Sequence, residues 1–310
     1  MRTAVGPLVA LSLVAAACSA TSSGGSGASG AGASGGAGGA GASGGAGGAG
    51  TGGGIGGIDV GGMGGGAPGD CTDEANKLIY VVSTSYEFYR YSPLDNSLSP
   101  IGQLNCPAGG ATPFSMAVDR DGVAWVLHNN GQLFQVSTVD ASCQPTSFQA
   151  NQAPGFDLFG MGFVSDQAGG DTETLFVGSY SGVGLGKVSM PSLQLSVVGA
   201  YDQVSGAAEI TGTGDGKLYG FFATLPVTVA ALDKTNAHVL QTWYPNVDIG
   251  SGWAFAAWGG AFYLFTAPFG TSQIDRFDPV TNQTVTVVPD VGFTIVGAGV
   301  STCAPVTPPN

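Results

Sequence analysis

The sequence predicts an all-β fold, on three observations. Five short apolar runs line up along the chain: KLIYVVS from Lys77, GVAWVLH from Gly122, ETLFVGS from Glu173, GKLYGFF from Gly216 and GAFYLFT from Gly260, spaced 43 to 51 residues apart. Further short runs accompany most of them at matching offsets, so that each unit reads as four strands, the pattern of a propeller blade. No long stretch carries an apolar period of 3.6 residues, which leaves little room for helix. A five-bladed β-propeller accounts for all three. The alternative, a β-sandwich or two smaller β domains, does not account for five matched units.

The chain opens with an export signal at residues 1–17. Arg2 is its one charge, and an uncharged run follows from Thr3 to Ala17. That run is shorter than the roughly 20 apolar residues a spanning helix needs. A charged start, an apolar centre and small residues at the end are the layout of a secretory signal. The quartet Ala15-Ala16-Ala17-Cys18 is similar to the bacterial lipobox, in which the signal is cut before a cysteine that then carries acyl chains; the pattern prefers leucine where Ala15 stands. Cys18 is therefore expected to be a lipid anchor, with ordinary secretion and cleavage nearby as the alternative. The anchor makes a membrane the first expected partner. It also places the chain in the bacterial cell envelope, at the outer membrane facing the periplasm or the exterior.

Residues 18–70 follow as a tether of Gly, Ala, Ser and Thr. The unit GASGGAGGA stands at 32–40 and again at 41–49, the mark of a duplication. Glycine occupies every third position from 32 to 56, yet a collagen helix leans on proline, and none occurs in the segment before Pro68. With few bulky apolar side chains to bury, the segment is expected to be a disordered linker. Its root-mean-square span is on the order of 40 Å. The copies of GASGG fit the GxSxG pattern of serine hydrolases, but that serine works only on a sharp strand-to-helix turn beside a histidine and an acid. A catalytic serine is not expected there.

The folded domain is residues 71–310, ample for one core. After most of the leading runs comes a second one ending in turn residues, as in FYRYSPLDN, LFQVSTVDA, VAALDKTNA and IDRFDPVTN. A third run follows, such as LQLSVVGAY or QTVTVVPDV, and a fourth precedes the next unit: FSMAVD, FGMGFV, EITGTG, WAFAAWG and FTIVGAG. Clean alternation is rare, as expected of sheets packed on both faces. The domain begins with strands two to four of a blade and ends with an extra first strand, FTIVGAGVSTC. The C-terminal strand is thus expected to complete the N-terminal blade and close the ring.

Five cysteines less an acylated Cys18 leave Cys71, Cys106, Cys143 and Cys303. An even set in an exported chain implies two disulfides, and three pairings are open. Ring closure chooses among them, because Cys71 lies just before the first strand and Cys303 ends the last. Cys71–Cys303 is expected, leaving Cys106–Cys143. No two of the four form a CxxC pair, so zinc and thioredoxin chemistry have no support; no metal or other cofactor is expected.

The layout resembles a group of uncharacterised exported proteins from myxobacteria and their relatives. These join a lipobox and a Gly/Ala/Ser linker to repeats like FGMGF, TGTGDGKLYGFF, WAFAAWGG and GFTIVGAGVSTC. The resemblance covers nearly all of the chain after residue 70. It implies a fold and an address, and no biochemical activity.

Residues able to carry chemistry are few. His128 precedes NNG and His238 follows DKTN, so both are expected at turns or on the surface. GVGLGKVS at 182–189 lacks the glycine spacing of a phosphate loop and has Val188 after the lysine, so it reads as a glycine-rich strand pair. DRDG at 119–122 offers too few oxygens for a calcium loop and reads as a hairpin turn, like GDG at 214–216. Asp95, Asp140, Asp233 and Asp278 recur at one turn position, which argues for structure rather than catalysis. A net charge of −13, from 21 acids and 8 bases, is expected to repel nucleic acid and anionic lipid.

Superposing the innermost strands aligns Ser115, Gly160, Glu209, Trp253 and Thr294 at their start. Glu209 is the only charge in that column and Trp253 its largest side chain. A carboxylate beside an indole suits a cationic or sugar-like ligand at the channel mouth; alternatively Glu209 caps local amides and Trp253 packs between blades. A glycosidase on this fold needs two or three converging carboxylates, and the column offers one. The sequence therefore favours a displayed module that binds or scaffolds a small molecule, glycan or protein outside the cytoplasm. It favours this over an enzyme such as a glycan hydrolase, lyase or cyclase, and over a purely structural envelope protein.

Overall fold

The computed structural model describes residues 71–309. The signal at 1–17, Cys18 and the linker at 18–70 lie outside the described residues. A 3-10 turn, Glu74–Lys77, is capped by Asp73 and leads into the first strand. Blade 1 takes β1 (Ile79–Ser83), β2 (Glu87–Ser92) and β3 (Ser97–Gln103). Blade 2 holds β4 (Pro113–Val118), β5 (Val123–His128), β6 (Leu133–Ser137) and the three-residue β7 (Cys143–Pro145). Blade 3 holds β8 (Phe159–Ser165), β9 (Glu173–Ser179), β10 (Leu185–Ser189) and β11 (Gln194–Gly199). Blade 4 holds β12 (Ala208–Gly212), β13 (Leu218–Phe222), β14 (Thr228–Leu232) and β15 (Val239–Trp243). Blade 5 holds β16 (Trp253–Trp258), β17 (Ala261–Thr266), β18 (Gln273–Asp278) and β19 (Gln283–Val288). The last strand, β20 (Ile295–Val300), returns to blade 1 and pairs antiparallel with β1, from Ile79 opposite Val300 to Ser83 opposite Ile295. The result is a five-bladed propeller closed by its C-terminal strand.

The absence of alternation has a direct cause. Each blade meets a neighbour on both faces, so successive residues of one strand, which point to opposite faces, enter two different apolar layers. Phe221 packs with Val229 and Phe255 between blades 4 and 5, while Phe222 packs with Phe176 and Ile210 between blades 3 and 4. In blade 2, Leu127 faces Phe159 of blade 3 and Val126 faces the Tyr80 and Phe88 side of blade 1. Every residue of β5 and of β17 is buried. The outer strands β11 and β19 are exposed or half-buried throughout, and their sequences carry Gln, Ser and Thr accordingly.

Two disulfides lock the ring, and they mark an extracytoplasmic protein. Cys71–Cys303 joins residues 232 apart with Cα atoms 5.0 Å apart, beside the closing strand. Cys106–Cys143 ties the link between blades 1 and 2 to β7. The recurrent turn aspartates do what their position implied. Asp140 accepts from the Ser142 amide at 3.0 Å, Asp233 from Thr235 at 2.8 Å and Asp278 from Val280 at 2.9 Å. Gly122 and Gly216, at φ +79° and +80°, close the turns at DRDG and GDG.

His128 departs from expectation. It ends β5 fully buried, its ring edge-on to Phe134 at 4.9 Å, and neither ring nitrogen has a hydrogen-bond partner. The turn begins one residue later, so the imidazole stays in the core, and burial holds its pKa down to about 4. His238 is exposed, as expected.

Candidate functional site

The inner strands all begin on one side of the ring, here called the upper face, and end on the lower. Both ends gather polar side chains, by different means. At the upper end Glu209, on β12, is 3% exposed and accepts a hydrogen bond of 2.9 Å from the Ser115 hydroxyl on β4. The partners belong to blades 4 and 2, so the carboxyl reaches past blade 3. What lets it pass is Gly160 on β8. A Cβ there would stand 2.5 Å from the Glu209 Cα and 2.9 Å from its Cδ, and would also collide with the Ala208 carbonyl. Burial raises the Glu209 pKa well above the carboxylate range, against the lowering effect of the Ser115 hydroxyl, and so favours the neutral acid.

Trp253, at the start of β16, takes a different neighbour. Its half-buried indole meets Phe221 edge-on at 5.6 Å, between blades 4 and 5. Thr294 donates to the Gly270 carbonyl across a loop. Glu209 is thus turned toward Ser115 and Trp253 toward Phe221.

At the lower end the closing strand meets blades 2 and 3. Glu173, the first residue of β9, accepts from the Arg120 amide and from the Thr302 hydroxyl, both at 2.7 Å, and the Arg120 guanidinium donates to Thr302 at 3.3 Å. Beside it Asp119 accepts from the Val123 amide and the Trp125 indole, each at 2.8 Å. Burial lifts Asp119 to about 6 and Glu173 to about 7; the charge of Asp121 adds to the first shift and that of Asp119 to the second. Sequence reasoning passed over Glu173. The available signal was its place: in the other four blades that position holds Lys77, Gly122, Gly216 and Gly260, and an acid there stands out. Among the described residues no group of three or more His, Cys, Asp or Glu is placed to hold a metal.

These buried acids set a pH dependence. Asp119, Glu173 and Glu209 bind protons more tightly folded than unfolded, so their contribution is complete below the ordinary carboxylate range and is lost as pH rises through about 6 and 7. His128, depressed to about 4, acts oppositely, contributing above its ordinary value of 6.5 and losing that contribution as pH falls. Three acids outweigh one imidazole. The melting temperature is therefore expected to be higher at pH 5 than at pH 8, and Glu173→Gln should flatten the difference. A melting temperature that rises steadily from pH 5 to pH 8 would contradict this.

No protein-family model matches the chain, and no curated protein matches it. Among solved structures, a nidogen–laminin complex is similar at 13% identity and a TM-score of 0.47, covering 72% of this chain and 97% of the other. A mitotic checkpoint complex is similar at 16% identity and a TM-score of 0.38, over 72% of this chain and 63% of the other. Hydrazine synthase of Kuenenia stuttgartiensis follows at 12% and 0.39, over 57% and 49%. Likenesses at this level carry no argument about activity.

Proposed function

We propose that the chain is a lipid-anchored protein of the bacterial cell envelope whose propeller binds or scaffolds a ligand or protein outside the cytoplasm. The observation that carries this reading is how the centre of the ring is spent. The one carboxyl of the inner column, Glu209, is buried against Ser115 and Gly160, so the chain itself occupies the place where a channel enzyme keeps its working carboxylate. The loops around that centre are left as the surface on which recognition would occur, the usual division between rigid scaffold and functional loops. Glu209 is buried, whereas Trp253 is only partly so. A small cationic or sugar-like ligand at the mouth would stack there first.

The second reading, a propeller-fold hydrolase, lyase or cyclase, draws its support from Asp119 and Glu173. Their elevated pKa values resemble those of acid–base groups. Both carboxylates are, however, engaged by Trp125, Val123, Arg120 and Thr302.

The address is tested at Cys18. Wild-type protein made in a Gram-negative host should partition into the detergent phase, and Cys18→Ser into the aqueous phase with the propeller still folded. Wild type recovered from the aqueous phase would remove the anchor from the reading.

A further inference from the structure

Antiparallel blades send the turns between their second and third strands, and the links to the next blade, to the same side. Those ten connections make up the upper face: residues 84–86, 104–112, 129–132, 146–158, 180–184, 200–207, 223–227, 244–252, 267–272 and 289–294. They contain Asp157, Asp202, Asp248 and Asp290, all exposed, and not one lysine or arginine. The lower-face turns mix Arg120, Lys217 and Lys234 with aspartates such as Asp95, Asp121, Asp166 and Asp233.

The same face concentrates exposed apolar side chains on one arc. Leu225 in blade 4 is 97% exposed and Phe269 in blade 5 is 91% exposed. Tyr180 and Val183 in blade 3, and Tyr244 in the link from blade 4 to blade 5, are each about half exposed. The upper connections of blades 1 and 2 expose no large apolar side chain. The loops that carry these residues adjoin. Gly182 lies against Gly206, and Gly206 against Thr224, next to Leu225. Beyond it Val227 packs with Val247 and Ile249, and Gly250 bridges to Ala267, two residues before Phe269. Isolated exposed apolar residues need no explanation, but nearly complete exposure at adjoining loop tips leaves apolar area that a partner would remove from water.

We propose that this arc docks a protein or peptide that presents apolar side chains among lysines or arginines. The inference rests on the binding reading above and gives the partner its chemistry. Leu225 and Phe269 are the anchors. Asp157, Asp202, Asp248 and Asp290 set orientation and association rate, with no cation on the face to oppose a basic partner. Backbone amides of Val239 and Gly292 hold Asp202 and Asp290 below the usual carboxylate range, so both are charged at neutral pH. A bilayer is the wrong occupant, because surface insertion relies on cations to hold anionic headgroups and this face offers only acids.

The test measures binding of a fluorescent amphipathic leucine–lysine peptide to the full chain by anisotropy. Leu225→Ser with Phe269→Ser should weaken binding tenfold or more at unchanged melting temperature. Asp202→Asn with Asp248→Asn should slow association and reduce its salt dependence. Val139→Ser with Val280→Ser on the lower face should leave binding as in wild type. The proposal is overturned if the peptide does not bind, if the lower-face pair weakens it equally, or if a leucine–glutamate peptide binds as well. Attachment of the Cys18→Ser chain to phosphatidylcholine–phosphatidylglycerol vesicles through Phe269 would overturn it too. Cross-linking in cells separates this failure from that of the broader reading: a partner retained by the Leu225→Ser, Phe269→Ser chain sinks this surface and leaves the binding function standing.

Discussion

Gly160→Val is expected to unfold the ring. The position lies in β8, where a Cβ alone would come within 2.5 Å of the Glu209 Cα and collide with the Ala208 carbonyl. Core overpacking typically costs about 1–3 kcal/mol when side chains can move aside. Here the opposing atoms are backbone of β12, which pairs with β13 from Ala208 to Gly212 and cannot withdraw without parting blade 3 from blade 4. The loss should therefore exceed about 4 kcal/mol, a large share of a typical margin of about 5–15 kcal/mol. Urea unfolding monitored by tryptophan fluorescence, with gel filtration to detect expansion, reads this directly. Ser196→Thr on the exposed strand β11 is the control, expected within about 0.5 kcal/mol of wild type. A Gly160→Val chain within about 1 kcal/mol of wild type would mean that the inner strands are not packed this closely.

Cys71→Ser with Cys303→Ser should cost about 2–4 kcal/mol, and more than the matching change at the other bridge. The reason is the length of chain each bridge closes, 232 residues against 37. On loop entropy alone that difference is worth about 1.6 kcal/mol. Location adds to it, since Cys303 follows β20, the strand whose pairing with β1 completes blade 1. Without the bridge, that pairing is expected to open first, and amide exchange should rise at Val81 and Ala298 before it rises in blade 3. Cys106→Ser with Cys143→Ser should loosen only the link into blade 2. Equal losses for the two double variants would show that the closing bridge has no special role.

Much of this architecture was legible because a blade is a local object. Five runs at near-constant spacing, turn aspartates at one register and an unpaired first strand at the C-terminus are each visible within about 45 residues, the length of one repeat. Closure followed from the same count: three strands at one end and one at the other make a blade, and the flanking Cys71 and Cys303 must then meet. The composition of the loops was in the sequence too, including the lack of any base among the ten upper connections.

Tertiary structure decided whatever depended on distances across the ring. Ser115 and Glu209 are 94 residues apart, and Glu173 and Thr302 are 129 apart, and in neither pair do the partners share a blade. Whether Glu209 faces solvent or a hydroxyl depends on how closely five inner strands converge, and Gly160 sets that approach in a way no periodicity reveals. The burial of His128 depended likewise on where β5 ends, a boundary of one residue. Nothing local in the sequence marks Leu225 and Phe269, which stand in loops of different blades. Folding set their tips on one arc with four aspartates, because antiparallel strand order sends alternate connections to the same face.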